Sequence, residues 1–121
     1  MNTYEQPHYE NSSSLAAAID QDDPEVLARM IIAAALYEED FDVVSAACAR
    51  LSSHTDEIVR GNAILGFGHL ARLFGRTTPD VPLLVKNALT DRSDYVRGQA
   101  HAAAGDLAHF LNIEVRSSQN A

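Results

Sequence analysis

The chain offers few groups of side chains that could bind a metal ion. The acidic segment "DQDDPE", residues 20–25, lacks the glycine and the ligand spacing of a calcium-binding loop, and helix capping accounts for its acids better. His101 and His109 are separated by about 80° around a helix, and the sequence contains no HExxH motif. We therefore expect neither a bound metal nor a cofactor.

Groups that could act as nucleophiles are equally scarce. The single cysteine, Cys48, lies in the apolar helical pattern "SAACARL", which predicts a buried and inert thiol that cannot form an internal disulfide. No Ser-His-Asp or Cys-His arrangement is recognisable, although a triad need not be local in sequence. The segment "GFGHLARLFG", residues 66–75, has the glycines of some nucleotide-binding loops, but no strand precedes it. The sequence predicts a protein that is not an enzyme.

Charge is distributed unevenly along the chain. Residues 1–58 carry twelve acidic and two basic side chains, a net of −10, whereas residues 59–121 carry five acidic and seven basic ones, a net of +2; these sum to the −8 of the whole chain. An acidic half of this kind repels nucleic acid and attracts basic proteins. The alternative is a solvated acidic surface that only keeps the protein soluble.

No segment of the sequence has the composition of a membrane anchor or a secretory signal. No run approaches 18 apolar residues, and the N-terminal "MNTYEQPHYENSSS" has no basic region followed by an apolar one. Together with the lone cysteine, these features lead us to expect a cytoplasmic protein.

An internal repeat explains the glycines better than a nucleotide site does. Residues 59–75 and 96–112 are related by a shift of 37 positions, with seven identities in seventeen pairs and "VRG" at the start of both copies. A period near 37 residues is typical of a solenoid of stacked helix pairs. Because Gly61 and Gly98 recur inside helices, we expect the paired helix of the same unit to approach each closely, and likewise at Gly66, Gly68 and Gly105.

Caps and helical periodicity predict six helices in three pairs. The predicted helices span residues 13–20, 24–37, 41–52, 56–74, 79–90 and 94–111. Residues 14–40 also suggest an earlier, divergent copy of the unit, in which Asp23 caps a helix that begins at Pro24. We expect a single helical domain over residues 13–114, a disordered N-terminal tail over 1–12 and a C-terminal tail over 115–121.

The segments "ALTDRSDYVRGQAHAAAGDLA" and "RLSSHTDEIVRGNAILGFGHLA" resemble HEAT repeats, with a turn containing Asp followed by Val-Arg and spaced alanines. The resemblance implies an all-α fold, a short right-handed α-solenoid of about three helix pairs. It also implies that the repeated arginines form a ladder with acids of the turns. Arg60 would pair with Asp56 or Asp91, and Arg97 would pair with Asp91 or Asp94.

The second helix of each unit is where the resemblance places a partner. Such helices line the concave face of a solenoid, which commonly binds other proteins. One stripe of the second helices, Val59, Ala63, Gly66, Leu70 and Phe74, is predicted to be buried. The opposite stripe and the acidic turns supply the candidate partner-binding residues, which are Asp20, Asp22, Asp23, Glu38, Glu39, Asp40, Asp42, Asn62, His69, Arg72, Gln99, Asp106 and His109. We expect the acids to form one rim beside the concave face.

These expectations favour an interaction module with a basic protein partner and no direct contact with nucleic acid or membrane. Small acidic proteins of bacterial toxin–immunity pairs include HEAT-like helical bundles, so the leading hypothesis is an immunity protein that occludes the substrate surface of a basic nuclease toxin. An adaptor or scaffold in bacterial regulation is the alternative. HEAT-like DNA glycosylases are longer and basic, and this chain is neither.

Overall fold

The computed structural model describes residues 9–116, and this range contains six α-helices and no strand. The helices are α1 (Ser12–Gln21), α2 (Pro24–Tyr37), α3 (Phe41–Leu51), α4 (Glu57–Phe74), α5 (Val81–Ala88) and α6 (Asp94–Leu111). They pack in pairs, α1 with α2, α3 with α4 and α5 with α6, and the pairs stack in chain order. The predicted all-α solenoid of three helix pairs is confirmed.

Local side-chain chemistry determines where most of the helices begin and end. Asp23, Asp40 and Asp56 each accept a hydrogen bond from a backbone N–H in the first turn of the helix that follows. Pro24, which has no N–H to lose, begins α2. Gly75 ends α4 with a φ of 67°, a conformation that glycine adopts without steric cost.

The fifth helix is shorter than the sequence predicts. It was expected over 79–90, but it begins at Val81 and ends at Ala88. Pro82 is tolerated only in the first turn of a helix, so the helix begins directly before it. Residues 79–80 form a turn, in which the Thr78 hydroxyl donates a hydrogen bond of 2.5 Å to the Asp80 carboxylate.

The two expected tails fall largely outside the described residues, because residues 1–8 and 117–121 are not among them. Inside the described range, Tyr9 and Val115 lie against the hydrophobic core. The Tyr9 hydroxyl donates a hydrogen bond to the Glu38 carboxylate. Burial raises the pKa of Tyr9, and the bond to Glu38 raises it further. The chain therefore contacts the first helix pair before α1 begins.

The second helices of the three units, α2, α4 and α6, form one layer. The first helices, α1, α3 and α5, cover one face of this layer. In this layer α4 lies between α2 and α6, and it also packs against α3 and α5. Its core-facing stripe is buried as predicted at Val59, Ala63, Gly66 and Leu70, and Phe74 is half-buried. Because α4 has neighbours on nearly every side, it carries more buried residues than any other helix of the described chain.

Glycines allow α6 to approach α4 closely. A Cβ added to Gly61 would lie 2.7 Å from a ring carbon of Tyr95, and one added to Gly68 would lie 2.5 Å from a carboxylate oxygen of Asp106. Real Cβ atoms essentially never show such distances, so an alanine at either position would force the Tyr95 ring or the Asp106 side chain to move. The approaching helix at these two positions belongs to the next unit, whereas the expected paired helix approaches at Gly66, where an added Cβ would lie 2.7 Å from the Cys48 Sγ atom.

The corresponding glycines of α6 are in a different environment. A Cβ added to Gly98 or to Gly105 would meet no atom within 4 Å. The expected close approach is therefore wrong at these two positions. The physical reason is position in the stack, since α6 is the last helix within residues 9–116 and no further helix of that range packs on its outer side.

A nearly buried ion pair joins the second unit to the third. The Arg60 Nε and Nη2 atoms donate to the two carboxylate oxygens of Asp91 at 2.9 and 2.8 Å, and Nη1 donates to the His54 carbonyl at 3.0 Å. The two side chains are 8% and 17% exposed. The hydrogen bonds from Arg60 lower the pKa of Asp91, and the bond to Asp91 raises the pKa of Arg60. Asp56, the alternative partner, caps α4 instead.

A second contact joins the turn between α1 and α2 to the turn between α3 and α4. The His54 Nε2 atom lies 2.7 Å from Asp22 Oδ1, and its Nδ1 atom accepts the backbone N–H of Asp56 at 2.9 Å. Because Nδ1 accepts, Nε2 carries the hydrogen and donates it to Asp22 in the neutral ring. The turns of all three units are thus connected through side chains.

Replacing Arg97 by alanine is expected to lower the free energy of unfolding by about 1 kcal/mol. Its Nη1 atom donates to the Asp91 backbone carbonyl at 2.7 Å, and its guanidinium pairs with the Asp94 carboxylate. The effect stays modest because the Arg97 side chain is 38% exposed and water can replace these partners. Urea unfolding of the wild type and the Arg97→Ala variant measures this change in stability. A loss of about 3–5 kcal/mol, the value that we expect for Arg60→Ala, would contradict the modest effect predicted for Arg97.

Candidate functional site

A chain of hydrogen bonds crosses the layer of second helices. The Asn62 Nδ2 atom donates to the Ala28 carbonyl of α2 at 2.9 Å, and Asn62 Oδ1 accepts from the Tyr95 hydroxyl of α6 at 2.5 Å. The Gln99 amide donates to the same hydroxyl at 2.9 Å. Asn62 is only 4% exposed. Its predicted role in partner binding is therefore wrong, because burial between three helices leaves it no surface to offer.

A polar cluster lies further along the same face, toward the C-terminal ends of α4 and α6. His69 Nδ1 lies 3.4 Å from an Arg72 guanidinium nitrogen. Burial lowers the pKa of His69, the positive charge of Arg72 lowers it further, and the nearby Asp106 carboxylate acts in the opposite direction. The structure thus brings together three of the predicted residues, in surroundings that favour the neutral form of His69. His109 is exposed and packs edge-on against Phe110.

Half-exposed apolar side chains lie along the same stripe of the second helices. Leu65 of α4 occupies the helical stripe of His69, and Ile32 and Leu36 occupy the corresponding stripe of α2. All three are partly exposed, and Ile58 at the start of α4 is 39% exposed. An apolar strip bordered by polar residues is the usual composition of a protein–protein interface.

The acidic residues do not form the single rim that the sequence led us to expect. Residues 20–23 precede α2 and residues 38–42 follow it, and α2 contains 14 residues. At 1.5 Å per residue, the two groups lie about 20 Å apart at opposite edges of the stack. The prediction of one rim is wrong because the turns within units and the turns between units alternate between the two edges.

Several of these acids also have local structural roles. Asp23 and Asp40 are helix caps, and Asp22, with a φ of 52°, ends α1 and contacts His54. Glu38 accepts the backbone N–H of Asp40 at 2.8 Å. The exposed acids most available to a partner are Glu10, Asp20, Glu39 and Asp42. Of these, Glu10 accepts a hydrogen bond from the Ser14 hydroxyl at 3.2 Å and Asp42 lies 4.0 Å from the Arg76 guanidinium, both at the surface.

The edge of the stack where α2 ends, near residues 38–42, contains a recess in which aromatic and acidic side chains meet. It has a volume of about 340 Å³ and is lined by Tyr9, Glu10, Asn11, Ser12, Tyr37, Glu38 and Glu39. Tyr37 is 66% exposed, the largest exposed fraction among the exposed large apolar residues of the described chain. We call this feature the acidic recess. Carboxylates beside aromatic rings match the side chain of an arginine or a lysine.

The thiol of the single cysteine is enclosed in the core. Cys48 is fully buried, and burial raises the pKa of its thiol to about 12, so the nucleophilic thiolate does not form at neutral pH. Among residues 9–116, no three His, Cys, Asp or Glu side chains converge as metal ligands would. In the same range, no helix combines the length and the apolar character needed to cross a membrane.

Two residues of the candidate surface are not predicted from the sequence. The signal for Tyr95 is a difference between the copies, because the corresponding position of the preceding unit holds Ile58. Tyr9 was assigned to a tail, and nothing in its local sequence predicts its bond to Glu38, which lies 29 positions further along the chain.

The comparison with protein families agrees with the observed stack of helix pairs. A family model described as HEAT repeats matches residues 12–105, which covers most of the chain. No curated protein and no solved structure gives a significant match. The family match covers five of the helices and most of α6, and it includes the divergent first unit.

Proposed function

Because the chain belongs to the HEAT-repeat family, whose stacked helix pairs serve as protein-interaction modules, we propose that it binds a basic protein through its first unit. The observation that carries this proposal is the acidic recess, where exposed Tyr37 lies beside Glu38 and Glu39. An arginine or lysine of the partner would enter the recess and contact both the ring and the carboxylates. The half-exposed strip of Ile32 and Leu36 would supply apolar contacts on the neighbouring face.

The charge distribution supports a fast encounter with such a partner. Residues 1–58 have a net charge of −10. A field of this sign raises the association rate of a cationic protein and depends on ionic strength, because exposed charges are screened over about 8 Å at physiological salt.

The narrower proposal is that the partner is a nuclease toxin and that the chain acts as its immunity protein in the bacterial cytoplasm. A nuclease binds the phosphates of its substrate with a cationic surface. An acidic protein covering that surface would exclude the substrate without any chemistry of its own. The alternative proposal is an adaptor in bacterial regulation, which would bind a basic partner without inhibiting an enzyme.

We expect removal of two acids from the recess to slow association with the protein encoded by the adjacent gene. Glu10→Gln with Glu39→Gln should reduce the association rate roughly three- to tenfold at low salt, and this difference should shrink as salt rises. Stopped-flow measurements across a salt series test this. The matched control, Asp20→Asn with Glu25→Gln, makes the same change in net charge at the other edge of the same unit.

The outcomes separate the proposals. A larger effect from the control pair would assign binding to the opposite edge and overturn the role of the recess. Stoichiometric inhibition of nuclease activity in the partner would support the immunity function, whereas binding without inhibition would favour the adaptor. Absence of any binding would remove both proposals for that partner.

A further inference from the structure

Exposed apolar side chains are concentrated at one edge of the stack, where α2, α4 and α6 end and where the acidic recess lies. Within residues 9–116, five large apolar side chains are exposed, and three of them occupy the last two positions of these helices. They are Tyr37, Leu73 and Phe110, with exposed fractions of 66%, 46% and 42%. Of the other two, Leu83 belongs to α5, and Ile58 lies at the start of α4, at the opposite edge. Exposed apolar residues grouped in this way mark an interaction surface, whereas scattered ones do not.

We propose that this edge is the docking surface for an extended segment of the basic protein partner, a proposal that rests on the function proposed above. An arginine of the segment would enter the acidic recess and lie against the Tyr37 ring. Large apolar side chains further along the segment would pack on Leu73 and Phe110. We call the surface that runs from Tyr37 through Leu73 to Phe110 the docking edge.

The chain's own Arg76 shows how this edge holds a guanidinium group. The Arg76 Cζ atom lies 4.0 Å from the centroid of the Phe41 ring, and the Nη2 atom lies 4.0 Å from the Asp42 carboxylate. The acidic recess offers the same two components, the exposed ring of Tyr37 and neighbouring carboxylates, and no basic side chain of residues 9–116 lines it. A planar guanidinium can stack on a ring and pair with a carboxylate at once, so we infer an arginine as the occupant.

The charge along the docking edge restricts where the occupant can carry its cation. Residues 38–42 include four acids and no basic side chain, whereas residues 72–76 and 109–112 include two arginines and no acid. A cation is therefore attracted to the end of the docking edge formed by α2 and is repelled near the ends of α4 and α6. A segment with one basic end and an uncharged apolar remainder fits this surface, and a uniformly basic segment does not.

The spacing of the helices sets the length of the segment. In their layer, α2, α4 and α6 are successive neighbours, and packed helices lie about 8–10 Å apart. The docking edge therefore spans about 20 Å, and an extended chain covers this distance with about six residues at about 3.3 Å each. The expected recognition pattern is an arginine followed or preceded by a large apolar residue about six positions away.

The pattern is tested by selecting peptides that bind the immobilised full-length chain from a phage-displayed random library. Peptides of about twelve residues are long enough, because they have twice the expected span. The enriched peptides should contain an arginine and, about five to seven positions away, a large apolar residue. Enrichment of peptides without arginine, or enrichment of no common pattern, would overturn the proposal.

Variants of the chain locate the site of an enriched peptide, which is synthesised with a fluorescent label and titrated by anisotropy. Tyr37→Ser and Phe110→Ser should each weaken binding at least about fivefold, because each variant removes one end of the docking edge. The matched control is Leu83→Ser, since Leu83 is 60% exposed but lies in the layer of first helices, and it should change the dissociation constant less than about twofold. Circular dichroism melts show that each variant keeps the fold. An equal loss from Leu83→Ser, or no loss from the other two, would overturn the docking edge.

A double-mutant cycle tests the contact between the peptide arginine and the Tyr37 ring. Replacing this arginine by glutamine should weaken binding to the wild-type chain about tenfold, and the loss should be much smaller with the Tyr37→Ser variant. Equal losses with both chains would show that the arginine binds elsewhere and would overturn its assignment to the recess. A lysine at the same position should bind about three- to fivefold more weakly than the arginine.

Failure of this proposal can be distinguished from failure of the proposed function. If the protein encoded by the adjacent gene binds but no peptides with the arginine and apolar pattern are enriched, the docking edge is overturned and the proposed function stands. If such peptides bind at the docking edge while the adjacent-gene protein does not bind, the docking edge is supported and that protein is not the partner.

Discussion

Replacing Arg60 by alanine is expected to lower the free energy of unfolding by about 3–5 kcal/mol, the largest effect we predict for a single substitution. The guanidinium is 8% exposed and holds both carboxylate oxygens of Asp91, whose side chain is 17% exposed. Removing the arginine leaves this carboxylate in a mostly buried position without its main partner. It also leaves the carbonyls of His54 and Thr55 without their donor. Urea unfolding monitored by circular dichroism gives the value.

The same pair should make stability depend on pH in the acid range. The pKa of Asp91 is lowered in the folded state, chiefly by the hydrogen bonds from Arg60. The resulting stabilisation is present above the unfolded pKa of an aspartate, about 3.9, and is lost as pH falls through the lower folded value. Asp91→Asn should therefore be less stable than wild type at neutral pH, and the difference should narrow below about pH 4.

Two matched controls isolate this contribution. Arg92→Ala removes an exposed arginine next to Asp91 in the chain and should change stability by less than about 0.5 kcal/mol. Asp20→Asn changes an exposed aspartate of α1, far from the Arg60–Asp91 pair, and should keep the pH dependence of the wild type. An Arg60→Ala variant as stable as Arg92→Ala would show that the Arg60–Asp91 pair does not hold the second and third units together.

Substituting equivalent glycines of the two copies should change stability in opposite directions. Gly68→Ala is expected to lower the free energy of unfolding by about 2 kcal/mol, because the new Cβ would lie 2.5 Å from an Asp106 oxygen and 3.2 Å from the Ala103 Cα atom. Gly105→Ala occupies the same position one repeat later, where nothing lies within 4 Å. It should raise the free energy by up to about 1 kcal/mol through helix propensity alone.

The two variants differ only in what surrounds the glycine, so each controls for the other. Thermal and urea unfolding of both variants and the wild type provide the comparison. Equal effects of the two substitutions would contradict the close contact of α4 with α6. A destabilising Gly105→Ala would contradict the open surroundings of Gly105.

The sequence by itself determined the helices and the order in which they stack. Asp23, Asp40 and Asp56 cap helices through atoms that lie within a few residues of one another, and Gly75 ends α4 through its own backbone conformation. The repeat of "VRG" after 37 positions predicted stacked units, since equal sequences form equal local structures. Signals of this kind act at short range and can be read without knowledge of the fold.

The tertiary structure alone decided which of these residues are available to a partner. Asn62 belongs to a polar stripe by its spacing, but α2 and α6 close over it. Gly61 and Gly98 have nearly the same neighbours in sequence, yet only Gly61 meets another helix. The acids on either side of α2 are close in sequence but lie at opposite edges, because the helix between them is about 20 Å long. The exposure of a residue depends on how many helices pack around it. That number is set by the place of its unit in the stack, and a local pattern of residues carries no information about this place.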